Sequence, residues 1–131
     1  MRIADLVQSA DWKAEKHVPV LEAADRVQAG EKLTVEVCVG KEIAHPNTTE
    51  HHIRWIKLYF KPDNGKFPYE IATFEFNAHG ESVEGANKGP VCTDPFGKVV
   101  IKLNASGTLI AESYCNIHGL WESSKAVTVV E

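Results

Sequence analysis

The stretch Lys32-Leu33-Thr34-Val35-Glu36-Val37-Cys38-Val39 decides the fold class. Leu33, Val35, Val37 and Val39 occupy every second position, the period of a strand with one face on a core. The same signature recurs on both sides. Ile53 to Phe60 is β-branched and aromatic, and it stops at Pro62-Asp63-Asn64-Gly65, a strong turn signal. Glu70–Phe76, Lys98–Leu103, Thr108–Cys115 and Ala126–Val130 read as further strands. Asn104-Ala105-Ser106-Gly107 reads as the turn of a hairpin between two of them. Val18–Leu21 and Arg26–Gln28 add short edge pieces, and Glu81–Pro95 reads as a long surface loop.

Helix signals are confined to Ile3, Leu6 and Val7, spaced for a turn or two before Asp11. About seven strands with a short N-terminal helical turn predict an all-β, immunoglobulin-like antiparallel β-sandwich. The whole of 1–131 is expected to form one domain, a length that can bury a core without disulfides.

Composition narrows the function. A net charge of −4 argues against a nucleic-acid partner. No run is long and apolar enough for a membrane span, and Met1-Arg2-Ile3-Ala4-Asp5 does not open a signal peptide, so a cytoplasmic protein is expected. Cys38, Cys92 and Cys115 are too few and too scattered for a disulfide framework or a zinc ribbon. Cys38 and Cys92 read as plain packed thiols.

The excess is histidine, six in all. His17 lies in Glu15-Lys16-His17-Val18-Pro19. His45 and His51 flank Pro46-Asn47-Thr48-Thr49-Glu50, and Cys115 and His118 close a Cys-x-x-His pair just past a strand. Loops at one end of a sandwich converge, and imidazole with thiolate suits mid-to-late first-row metals. Pro46 holds His45 in extended backbone. By alternation His51 shares the inward parity of Ile53 and Trp55, and His52 shares the outward parity of Arg54. His79 reads as structural or solvated. Trp12 or Trp121 could shield a metal from water.

One thiolate with up to four imidazoles exceeds a structural zinc site. Blue copper needs two His, a Cys and usually a weak axial Met, and Met1 is badly placed for that. Iron accepts five or six ligands, and a thiolate opposite an open position pushes density toward it. An iron enzyme, a cupredoxin-like electron carrier and a sandwich with incidental histidines all stand at this point, and metal content separates them.

Glu15-Lys16-His17-Val18-Pro19, His45-Pro46-Asn47 with His51, and Tyr114-Cys115-Asn116-Ile117-His118-Gly119-Leu120-Trp121 together resemble the superoxide reductases, the neelaredoxin/desulfoferrodoxin family. Three separated motifs agree in type, spacing and order along nearly the whole chain. With no four-cysteine rubredoxin-like site before His17, the resemblance is to the one-iron form. It implies an immunoglobulin-like sandwich and a mononuclear iron held by His17, His45, His51 and His118, with Cys115 axial. It implies Glu15 as the sixth ligand of ferric iron and Lys16 as the positive charge beside the open position. The implied reaction takes superoxide to hydrogen peroxide with one electron and two protons. Rubredoxin is the implied donor, and a homotetramer the implied assembly.

Overall fold

The computed structural model describes residues 1–131. Its strands are β1 (Pro19–Glu22), β2 (Arg26–Gln28), β3 (Lys32–Val39), β4 (Ile53–Pro62), β5 (Tyr69–Glu75), β6 (Phe96–Lys102), β7 (Gly107–Cys115) and β8 (Gly119–Val130). They form a three-stranded sheet in the order β1-β3-β6 and a five-stranded sheet in the order β2-β8-β7-β4-β5. The all-β sandwich expected from the period-two pattern is what forms, with eight strands. One pairing departs from the antiparallel rule, since β2 runs parallel to β8. The only helical piece is a single 3-10 turn at Ile3–Asp5, and Ile3 on it and Leu6 just after it are exposed rather than packed.

The alternating residues of β3 meet Ile53, Ile56, Leu58 and Phe60 of β4 and Leu109 and Ala111 of β7 in one apolar core. Cys115 belongs to the same cluster and is fully buried. The last residue of β7 therefore delivers its thiol at the rim of the core. At the side of the sandwich, Gly97 of β6 is tied to β5, because a Cβ there would run into the Phe74 ring.

Asn104–Gly107 is not a hairpin. β6 pairs with β3, whereas β7 pairs with β4 and β8, so this turn carries the chain from one sheet to the other. Leu103 and Leu109 on either side are both buried, and a Cβ on Gly107 would meet the Lys61 carbonyl and the Phe60 ring. The turn residues were legible, but the layer change depends on which strand each neighbour can pair with.

Alternation also misplaces two side chains, Trp55 and His52. The ladder between β4 and β7 slips between Ile53 and Trp55. The extra residue puts both Arg54 and Trp55 outside, and Trp55 stacks on Tyr114 there at 5.8 Å between ring centroids. His52 precedes β4, lies outside the strand's parity, and is buried at 7% exposure. Its Nδ1 is 2.9 Å from the Thr48 carbonyl, and its ring stacks on His79. Cys92, expected to be packed, is exposed, whereas Cys38 is half-buried.

Candidate metal centre

Each candidate side chain is placed by a short local device. His17 lies two residues before β1, and the buried Ser113 hydroxyl of β7 donates to its carbonyl at 3.3 Å. After β3 the chain turns at Gly40, whose φ is +91° and where a Cβ would crowd the His45 backbone nitrogen. His45 follows that turn. The Thr48 hydroxyl accepts the His51 N–H at 3.0 Å, and the Thr48 N–H donates to the His51 carbonyl at 2.9 Å, closing a loop that aims His51 back. The tight turn between β7 and β8 ends at Gly119, with φ +81°. It brings His118 over Cys115, whose sulfur accepts the His118 N–H at 3.4 Å.

Four imidazole rings then close a square. Going round, ring centroids are 4.5 Å apart for His17–His118 and 5.0 Å for His118–His51. They are 4.6 Å apart for His51–His45 and 4.8 Å for His45–His17. The diagonal from His17 to His51 is longer, at 6.0 Å. Nδ1 of His118 lies 3.1 Å from Nε2 of His17, 3.2 Å from Nε2 of His51 and 3.7 Å from the Cys115 sulfur. Two nitrogens bound to one ion at a right angle, each about 2.1 Å from it, lie about 3.0 Å apart. The spacing therefore fits donors around a single ion. His17, His45, His51 and Cys115 also place their donor atoms within 4.8 Å of one another.

The tautomers point the same way. Nδ1 of His17 is 2.6 Å from Oε1 of Glu15, and Nδ1 of His45 is 2.6 Å from the Pro46 carbonyl. Each contact fixes the proton on Nδ1 and leaves the Nε2 lone pair free, as in second-shell support of metal-bound histidine. Nε2 of His45 is shut off from solvent and has no hydrogen-bond partner. Burial lowers the His45 pKa to about 4, so its imidazole is neutral at neutral pH, as a ligand must be. Burial also lowers that of His51, with the neighbouring His118 and His17 adding to the effect.

Glu15 sits behind His17. Its Oε1 also accepts the His17 backbone N–H at 3.0 Å. The hydrogen bond to the His17 side chain is the main cause of a Glu15 pKa below the usual carboxylate range, so the group is ionised. Lys16 is half-exposed, and its positive charge is a minor contributor to the lowered pKa of His45 and His51, behind burial and the neighbouring histidines.

Of the two tryptophans considered as shields, Trp121 stacks on His17 at 5.2 Å and 16°, and it is buried. Its Nε1 donates to the His118 carbonyl at 3.2 Å, as does the Gln8 amide at 3.2 Å. Trp12 instead lies under the Lys13 and Lys41 ammonium groups. His79 packs on His52, away from the square. The sequence reading missed Asn116 and Gln8, which bind backbone at or beside candidate ligands; for Asn116, a polar residue just past a strand end, where the chain must turn, was the available signal.

No helix is long and apolar enough to cross a membrane. The desulfoferrodoxin family model matches residues 9–124. Neelaredoxin of Megalodesulfovibrio gigas is 57% identical over 129 residues, which cover 98% of this chain and 99% of that protein. The crystal structure of a Thermotoga maritima relative has a TM-score of 0.98 at 60% identity, covering 100% of this chain and 99% of that one. Superoxide reductase (neelaredoxin) of Archaeoglobus fulgidus in the reduced form has a TM-score of 0.87 at 54% identity, over 94% of this chain and 98% of that one. Likeness of this depth spans all three segments that carry the candidate side chains, and the chain belongs to the desulfoferrodoxin family.

Proposed function

We propose that this protein is a superoxide reductase, an oxidoreductase that takes superoxide to hydrogen peroxide at one non-haem iron. His17, His45, His51, His118 and Cys115 would hold the iron. The observation that carries this reading is the imidazole square with the Cys115 sulfur 3.7 Å from Nδ1 of His118. Five soft or borderline donors exceed what structural zinc uses, and the two further imidazoles exceed a blue-copper set. Bound iron, cycling between ferrous and ferric, supplies the single electron that superoxide takes.

The residues divide the remaining work. Neutral imidazoles leave a ferrous site cationic after one thiolate charge, which draws in a small anion despite the net charge of −4. Lys16 adds a local positive charge that opposes the overall field and can order water for proton delivery. Trp121 covers the outer face of His17 and keeps water from that side. Glu15 holds the His17 tautomer in this conformation. To reach a bound metal as a further donor, its carboxylate would have to release Nδ1 of His17. The reaction consumes one electron and two protons per superoxide. A rubredoxin-like one-electron donor supplies the electron, and the chain assembles as a homotetramer, which light scattering on the purified protein would check.

Metal analysis with the visible spectrum of the oxidised form and a superoxide-consumption assay tests the reading. Iron near one per chain, with superoxide reduced at the expense of an added donor, supports it. Copper, or no bound metal and no reaction, removes it. Lys16→Ala is expected to slow the second-order reaction with superoxide by about tenfold and to flatten its dependence on ionic strength. Stopped-flow rates across a salt series measure both, and an unchanged salt slope takes Lys16 out of anion attraction. Glu15→Ala is expected to weaken iron retention by roughly 10–100-fold through loss of the His17 partner. It is also expected to open the ferric site to added azide. A chelator competition and an azide titration read the two effects separately, and wild-type behaviour in both rejects the assignment.

A further inference from the structure

Asn116 stands where the β4–β7 ladder stops, immediately after Cys115. Within the ladder Ile53 faces Cys115. The next pair would be His52 and Asn116, and the Asn116 N–H does donate to the His52 carbonyl at 3.1 Å. In a regular antiparallel ladder the return bond would run from the His52 N–H to the Asn116 carbonyl. Here the chain turns over residues 116–118 to carry His118 back to Cys115. The His52 N–H instead donates to the side-chain Oδ1 of Asn116 at 2.8 Å. Nδ2 of the same amide donates to the Glu50 carbonyl at 2.8 Å.

One residue thus holds the backbone on both sides of His51, while its own backbone leads into the Cys115–His118 turn. The amide orientation is fixed by its partners, since the oxygen meets an N–H and the nitrogen meets a carbonyl. We propose that Asn116 is a positioning residue for the metal centre. Its side chain continues the broken ladder for one more step and so sets His51 against Cys115 and His118. The 3.2 Å separation of His51 Nε2 from His118 Nδ1 is the dimension it controls. The inference rests on the reading of His51, Cys115 and His118 as ligands.

A second asparagine provides the control. Nδ2 of Asn87, on the long loop, donates to the Glu50 carboxylate at 2.9 and 3.0 Å, and its Oδ1 accepts the Thr49 N–H at 2.7 Å. Asn87 therefore anchors the same segment from the other side without touching the Cys115 turn. It sits at φ 65°, so Asn87→Gly removes the amide and keeps a permitted backbone.

The test compares iron-loaded wild type, Asn116→Ala, Asn116→Asp and Asn87→Gly. Iron transfer to a ferrous chelator, the visible spectrum of the oxidised form, and melting with and without metal are measured. Asn116→Ala is expected to weaken iron retention by roughly 10–100-fold, the cost of losing an outer-shell partner. It should shift the visible band and shrink the rise in melting temperature that metal confers. Asn116→Asp keeps the size and the acceptor for His52 but loses the donor to Glu50, so it should fold and show a smaller loss in the same direction. Asn87→Gly should lower melting equally with and without metal and retain iron like wild type. The proposal is overturned if both Asn116 variants keep wild-type retention and spectrum. It is also overturned if Asn87→Gly loses iron as readily as Asn116→Ala, because loop anchoring alone would then be the cause. His51→Ala separates the two levels. If it retains iron like wild type, the ligand reading itself fails; if it loses iron while Asn116→Ala does not, only the positioning role fails.

Discussion

Cys115→Ser is expected to erase the sulfur-to-metal absorption of the oxidised protein and to collapse iron retention. Cys115 is fully buried, and its sulfur lies at the centre of the ligand turn. A thiolate is a soft, anionic donor; a serine hydroxyl at the same place stays protonated and is a poor ligand. The loss should exceed the roughly 10–100-fold that removal of an outer-shell partner costs. Reduction of superoxide should fall with it, because the thiolate's donated density is gone. Iron content after dialysis against a chelator, together with the visible spectrum, is the measurement. A variant that keeps the wild-type band and its iron would show that the sulfur is not a ligand. The apo fold should change little, since sulfur and oxygen differ modestly in volume.

The second large effect is on stability. Leu58→Ala is expected to cost about 2–5 kcal/mol, the range for emptying a packed aliphatic site. Leu58 is 0% exposed on β4, which is flanked by β7 and β5, so the sheet cannot close over the void without moving a central strand. Against a typical total of about 5–15 kcal/mol, that is a large fraction, and melting should drop on the order of 10 °C. Urea unfolding should show a lower midpoint with an unchanged slope. The visible spectrum should stay that of wild type, because Leu58 pairs with Ala111 in mid-strand, whereas Cys115 faces Ile53 at the ladder's end. A loss below about 1 kcal/mol would mean that the core repacks around the gap.

The two expectations separate parts of the chain that differ in how far sequence alone reaches. The strands were legible because backbone pleating imposes a period of two, and β3 shows it at every position, from Leu33 to Val39. The ligand types were legible because few side chains offer a neutral imidazole or a thiolate, and their motifs resemble one family. Glu15 and Lys16 were legible through that resemblance and not through spacing, since a charged pair in a loop has no periodicity.

Errors arose where a local rule meets a non-local choice. Asn104–Gly107 has the residues of a turn, but whether its flanking strands pair or part depends on β3, β4 and β8, which lie far away in sequence. Parity past Ile53 failed because a bulge adds one residue, and one residue exchanges the two faces. His52 was placed outside by that rule and is buried against His79 instead.

By itself, then, the sequence determined that the chain would form a β-sandwich and which side chains could hold a metal, because period and donor chemistry are properties of single residues and their near neighbours. Only the tertiary structure decided the square of His17, His118, His51 and His45, the stacking of Trp121 on His17, and the splice at Asn116. Those arrangements join loops separated by dozens of positions, and their distances are set by how two sheets pack and where one ladder ends.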